Sequence, residues 1–93
     1  AAGADMLLLE CVPMDLAREI TSNAGVPVIG IGAGPSVDGQ ILVLYDILDI
    51  APGKRTRFSR NYIEDTGSIQ RAVERYVTDV REGRFPTAEY AFK

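Results

Sequence analysis

Two short apolar runs, Met6-Leu-Leu-Leu9 and Pro27-Val-Ile-Gly-Ile31, begin about 20 residues apart, and the segment between them has the periodicity of a helix. Few folds accommodate that spacing. Runs of this length without polar alternation suit strands covered on both faces, as in parallel sheets. Val12 and Pro13 restrict the chain after the first run. Leu16, Ala17, Ile20 and Ala24 then recur at a helical period, Arg18, Glu19 and Asn23 lie opposite, and Gly25 reads as the stop. A right-handed strand-helix-strand crossover leaves the carboxyl ends of both strands on one side of the sheet. Glu10 and Gly32-Ala33-Gly34 are therefore expected on one rim, where ligands collect in open sheets and barrels.

Downstream, Ser36 is expected to cap a helix through about Leu48, with Val37, Ile41, Leu44, Tyr45 and Leu48 on its apolar side. The basic segment Lys54 to Tyr62 is read as partly irregular. The pattern predicts a longer amphipathic helix from Ser68 to Glu82, with Ile69, Ala72, Val73, Tyr76, Val77 and Val80 as its stripe and Gly83 as its stop. Arg84-Phe-Pro leads into a tail containing Tyr90 and Phe92. Residues 1–93 thus read as part of one α/β domain: 1–50 form strand-helix-strand-helix with the rim, and 51–93 form the basic loop, long helix and tail. Two strands are too few for an independent sheet. Either strands outside this chain complete it or the chain oligomerises around them, and the start AAGAD, without Met, points to the first.

With 46% hydrophobic and 25% charged residues, the composition is that of a folded α/β protein, not a disordered one. The net charge of −3 argues against a nucleic-acid surface. No run approaches membrane-spanning length and none reads as a signal peptide. The single Cys11 precludes an intrachain disulfide. A cytoplasmic protein without nucleic-acid or membrane partners is the expectation.

Glu10 admits two readings. It is a carboxylate at the solvent end of a strand, pairing with Arg18 or Arg57, or a general base at a cleft rim, held firmly by the strand. Gly30-Ile-Gly32-Ala-Gly34-Pro35 departs from the dinucleotide fingerprint G-x-G-x-x-G, so Asp49 downstream carries little weight as a ribose ligand. The glycines allow either a tight strand exit or close approach of backbone N–H groups to a ligand. Asp38, near the start of the expected third helix, is a first-turn acid or a polar ligand contact. With no His and one Cys, zinc and iron-sulfur sites lack their ligands, and the acids have no magnesium-site spacing. Lys54, Arg55, Arg57 and Arg60 form either a salt-linked surface or a site for phosphate, carboxylates or an acidic cofactor tail. Cys11 has no partner to activate it and is expected to be a buried small side chain.

Leu7-Leu-Leu-Glu-Cys-Val-Pro13, Pro27-Val-Ile-Gly-Ile-Gly-Ala-Gly34, Asp38-Gly-Gln40 and the continuation through Phe85-Pro86 to Phe92 together resemble the carboxyl-terminal part of the ketopantoate hydroxymethyltransferase family. The resemblance implies the last two strand-helix units of a TIM (β/α)8 barrel plus terminal helices. It implies transfer of a hydroxymethyl group from 5,10-methylenetetrahydrofolate to 3-methyl-2-oxobutanoate, giving ketopantoate for pantothenate biosynthesis. Glu10 matches the family's catalytic base for the substrate C3 proton. The Mg²⁺ ligands would lie outside this chain, and the resemblance assigns no cofactor-binding residue within it. Homo-oligomers, commonly decamers, are implied, with Ile69, Val73, Tyr76, Val77 and Val80 as interface candidates. Lys54, Thr56 and Tyr90 depart from the family's basic segment and tail. The alternatives are a related Mg²⁺-dependent oxo-acid lyase, or a noncatalytic assembly module should the chain be complete at 93 residues.

Overall fold

A computed structural model describes residues 2–92. Strands β1 (Leu7–Glu10) and β2 (Val28–Ile31) pair in parallel, with Leu7 beside Val28 and Glu10 beside Ile31, and α1 (Met14–Asn23) makes the crossover. Pro13 takes the N-cap position of α1 at φ −53°, just where the chain must turn into the helix. Asp15 lies in the first turn, favourably for the helix dipole. The strands are four residues long and alternate in burial, so their continuous apolar run conceals a one-faced pattern. Val28, Gly30 and Ala17 are buried where the sheet meets α1, whereas Leu8 is 60% exposed on the other face.

The expected helix from Ser36 to Leu48 does not form. Gly39–Gln40 instead make a third parallel strand, β3, against β2, and only Leu44–Ile47 are helical (α2). Pairing with β2 takes the backbone donors that a helix needs: Asp38 N–H donates to Val28 O at 2.9 Å and Ile41 N–H to Gly30 O at 3.0 Å. Ser36 caps no helix, and its Oγ is 3.4 Å from Nε of Arg18. Ile41, Leu44 and Tyr45, expected on an apolar helix face, are exposed, while Leu48 is buried.

Helix α3 (Tyr62–Thr66), absent from the sequence expectation, is bracketed by standard end signals. The Asn61 side chain accepts from Glu64 N–H, and Gly67 terminates the helix at φ 70°. Helix α4 (Ile69–Arg81) has Ser68 as its N-cap and ends before Gly83, as expected. A short 3-10 turn follows at Ala88–Tyr90. Ile47, Leu48, Tyr62 and Ala72 form the main buried cluster, with Leu42, Ile63 and Tyr76 against it.

The stripe expected on α4 is divided between two environments. Ala72 and Asp79 are buried and Tyr76 packs inward, whereas Ile69, Val73 and Val77, four residues apart, face outward. The described residues extend 45 × 23 × 21 Å with a radius of gyration of 13.7 Å. A compact chain of this length would measure about 12 Å. Several large apolar side chains, including Met6, Leu8, Ile50 and Ile69, are at least 59% exposed. Among the described residues no helix is long and apolar enough to cross a membrane.

Asp79 organises the helical half. Its carboxylate accepts from the Tyr62 hydroxyl at 2.9 Å and from Arg60 at 3.2 Å, and its carbonyl accepts from Arg84 N–H and Phe85 N–H. Burial pushes the Tyr62 phenol well above its ordinary value, and the hydrogen bond to Asp79 raises it further. Tyr76, in edge contact with Tyr62 at 5.8 Å, has a buried hydroxyl with no partner among the described residues. Tyr62→Phe is expected to cost about 1–2 kcal/mol in urea unfolding at neutral pH. Tyr76→Phe is expected to be neutral or stabilising, because an unsatisfied buried hydroxyl is removed. A raised folded pKa means that protonated Tyr62 contributes stability below about pH 10 and that this is lost at higher pH. The alkaline decline should therefore be shallower in Tyr62→Phe than in the wild-type protein, and an unchanged decline would contradict this assignment.

Candidate active site

Glu10 is the last residue of β1, and side-chain alternation puts it on the same face as Leu8. Cross-strand register adds Ile29 and Ile31 to that face. Met6, Leu8, Ile29, Gly39 and Ile41 line an open apolar groove there of about 440 Å³. Glu10 thus stands at the carboxyl end of a parallel sheet, beyond an apolar floor. The opposite sheet face adjoins α1, where Leu7 lines a depression with Leu16, Ile20 and Ala24.

The Glu10 side chain is exposed and pairs with neither arginine expected of it. Arg18 bridges Asp15 at 3.3 Å and approaches Ser36, and the guanidinium of Arg57 lies 5.8 Å from the centre of the Phe92 ring. Cys11, expected buried, is exposed as well. The strand ends there with Cys11 in the left-handed region at φ 55°, which directs its side chain out of the sheet pattern. Cys11 N–H still donates to Ile31 O at 2.9 Å, so the two strand ends are tied at the rim.

The glycine segment owes its composition to close packing. Gly32, at φ 67°, lies under the Phe58 ring, and a Cβ placed there would come within 2.9 Å of ring carbons. At Gly34, at φ 82°, a Cβ would meet the Met14 Cβ at 2.5 Å. The Gln40 side-chain amide donates to Gly34 O at 2.7 Å and fixes the exit of the loop. Asp38, read as a helix acid or ligand contact, instead accepts from Val28 N–H at 2.8 Å, where β2 begins. Asp38-Gly-Gln40 therefore clamps β2 and its exit loop.

The basic segment is salt-linked in two of its four positions. Arg55 pairs with Asp49 at 3.0 Å, and Arg60 pairs with Asp65 at 2.6 Å and lies 4.6 Å over the Tyr62 ring. Arg60 also reaches Asp79, so these carboxylates hold its guanidinium protonated despite partial burial. Asp49, dismissed above as a ribose ligand, serves Arg55 and also accepts from Asn61. A cavity of about 450 Å³ lined by Arg55, Arg60, Arg84, Glu64, Asp65 and Tyr90, among others, includes neither Glu10 nor the glycine segment. Its arginines already face carboxylates, so it is a self-neutralised surface and not the focus of the rim.

Two features escaped the sequence reading. Asp79 lies on the buried face of α4 in step with Ala72 and Tyr76, and that position within an apolar stripe was the available signal. The tail also returns to the rim: Phe92 O accepts from Met14 N–H at 2.8 Å, and the Phe92 ring stands 6.3 Å from Phe58. No local pattern announces that contact.

A parallel strand-helix-strand unit with a carboxylate and packed glycine turns at one rim is the layout of α/β proteins that carry their sites at strand carboxyl ends. Residues 1–88 match the family model described as Ketopantoate hydroxymethyltransferase, and the chain belongs to that family. It is 59% identical over 92 residues to 3-methyl-2-oxobutanoate hydroxymethyltransferase of Alkalilimnicola ehrlichii, covering 99% of this chain and 33% of that protein. The proteins of the same name from Shewanella sp. strain W3-18-1 and Pseudoalteromonas translucida are 53% and 50% identical over 99% and 100% of this chain, each covered to 35%. The chain spans about a third of the length of the curated relatives it matches.

The close packing under the glycines is directly testable. Gly34→Ala and Gly83→Ala both place a Cβ at positive φ, but only Gly34 has an atom in the way. Gly83→Ala is expected to cost about 1 kcal/mol from backbone strain alone. Gly34→Ala should cost at least about 2 kcal/mol more in thermal or urea unfolding, because the start of α1 must move. Equal costs would show that the contact with Met14 is not held in solution.

Proposed function

We propose that this chain is the carboxyl-terminal part of a barrel enzyme that transfers a hydroxymethyl group from 5,10-methylenetetrahydrofolate to 3-methyl-2-oxobutanoate, forming ketopantoate in pantothenate biosynthesis. Family membership and identities of 50–59% to proteins named for that transfer support the reaction. The observation that carries the role of Glu10 is its placement: an exposed carboxylate at the end of β1, on the open face of the sheet. In a closed barrel that face is the interior, and strand carboxyl ends are where catalytic groups stand. Met6, Leu8, Ile29 and Ile41 then pack against the interior of the barrel made by the rest of the protein.

In this reading Glu10 is the general base. Its carboxylate takes the proton from C3 of the keto acid, and the enolate carbon forms the C–C bond to the one-carbon unit; overall both C–N bonds of that unit to the folate break, water supplies the hydroxyl oxygen, and tetrahydrofolate leaves with the protons. A strand end restricts the carboxylate more than a loop would, which suits a single directed proton transfer. The family's Mg²⁺, when bound, supplies charge stabilisation at the substrate oxygens. Among the described residues no group of three His, Cys, Asp or Glu could hold a metal ion. Its ligands are assigned, in this reading, to the part of the protein outside this segment. Homo-oligomer formation belongs to the same proposal. The outward row Ile69, Val73 and Val77 is the stretch of α4 available for it, whereas Tyr76 is engaged with the helical core.

Glu10→Gln in the full-length enzyme removes the base and keeps the shape. Deuterium exchange at C3 of 3-methyl-2-oxobutanoate should fall by at least about 100-fold, with circular dichroism and Mg²⁺ affinity unchanged. Exchange at the wild-type rate would reject Glu10 as the base.

A further inference from the structure

Four cations stand close together in the basic segment, and their surroundings differ. Arg55 and Arg60 are neutralised by Asp49 and by Asp65 with Asp79. Lys54 lies in a small recess with Asp46 and Asp49. Arg57 is exposed and makes no ion pair among the described residues; its guanidinium lies over the Phe92 ring. A ring face orients a guanidinium without cancelling its charge, and it leaves the N–H donors free for an anion.

The position of Arg57 gives that free charge a use. The next residue, Phe58, covers Gly32 directly beyond the end of β2, and Ile31 there is tied to Cys11 beside Glu10. Phe92, which orients Arg57, is itself anchored by its carbonyl to the start of α1. Arg57 is thus held beside the residue that covers the end of β2, at the margin of the rim that carries Glu10.

We propose that Arg57 binds a carboxylate of the glutamyl end of the folate co-substrate, while the Phe58 ring borders its flat portion; this rests on the transferase reading above. The two substrates are distinguished by length. The keto acid must lie against Glu10 to lose its C3 proton, so its single carboxylate stays near the strand ends. The folate places its one-carbon unit at that centre and extends a conjugated body and two carboxylates outward, toward a marginal cation. Arg57 is a binding residue in this scheme and takes no part in the proton transfer.

The test uses the full-length enzyme and two probes, tetrahydrofolate and the N-methylamide of tetrahydropteroate, which keeps the benzoyl amide and has no carboxylate. Arg57→Ala should raise the dissociation constant for tetrahydrofolate about tenfold, the loss expected for one charge-assisted hydrogen bond. Its affinity for the tetrahydropteroate amide and its KM for 3-methyl-2-oxobutanoate should stay within about twofold of wild type. Lys54→Ala, whose neighbours are acidic, should leave both probes unaffected. Unchanged tetrahydrofolate binding by Arg57→Ala, or equal weakening of both probes, overturns the proposal while leaving wild-type turnover, and with it the transferase reading, intact. A wild-type enzyme that neither turns over nor binds tetrahydrofolate overturns both.

Discussion

Parallel pairing of Leu7–Glu10 with Val28–Ile31 is the contact on which the remaining geometry depends. It puts Glu10 level with Ile31 and brings Cys11 close enough to donate to Ile31 O, so both chains leave the sheet at one edge. A register shift by one residue would turn Glu10 toward α1 and bury a carboxylate without a partner. Asp38 guards against that slip by fixing the start of β2 through the Val28 N–H, and Gln40 fixes its far end through Gly34 O. A short strand pair is weak in itself, and here it is clamped at both ends by side chains from one tripeptide.

Two packing centres support the rim. The first is the sheet against α1, where the most deeply buried side chains, Ala17, Val28 and Ala33, are small, so the backbones approach closely. The second is the aromatic cluster of Tyr62, Tyr76, Phe85 and Tyr90, with Asp79 accepting from Tyr62 and Arg60 at its base. Asp79 is buried and Arg60 only partly so, and Asp79 keeps Tyr62 as a partner, so losing Arg60 should cost less than the about 3–5 kcal/mol of a fully buried pair and more than the at most about 1 kcal/mol of a surface pair. The Arg60–Asp79 contact therefore matters more to the fold than the exposed Arg18–Asp15 pair, although the two distances, 3.2 and 3.3 Å, are nearly equal. The tail joins the two centres, leaving Asp79 through Arg84 and Phe85 and reaching the rim at Phe92.

Local physics made much of this legible in advance. Hydrophobic runs and helix-stop glycines located β1, α1, β2 and α4 because each element is specified by its own residues. The segment after Pro35 was misread for the opposite reason. Val37, Ile41, Leu44 and Leu48 have a helical period, but β2 offers free carbonyls at Val28 and Gly30, and nonlocal pairing prevailed. At the rim, the placement of Glu10 followed from the parallel pairing that a strand-helix-strand crossover imposes. The roles of Asp38, Gln40 and Asp79 did not, since each depends on which distant backbone or side chain lies opposite. Cys11 was misjudged because its exposure comes from one left-handed dihedral, which composition does not encode.

The hydrogen bond from Met14 to Phe92 joins positions near the two ends of the described chain. The first turn of a helix has donors that nothing inside the helix can satisfy, and α1 has no side-chain cap. The acceptor that the Met14 N–H lacks within the helix is supplied by the carbonyl of Phe92. During synthesis α1 therefore leaves the ribosome with the Met14 donor open, and that donor is satisfied only after the chain has been made through Phe92. The loop so closed is long, and closing it costs entropy that grows slowly with length and is recovered only by contacts formed at the end. Assembly of the rim is in this sense a late event, and quality control that samples the chain before Phe92 arrives meets a helix start still open to water.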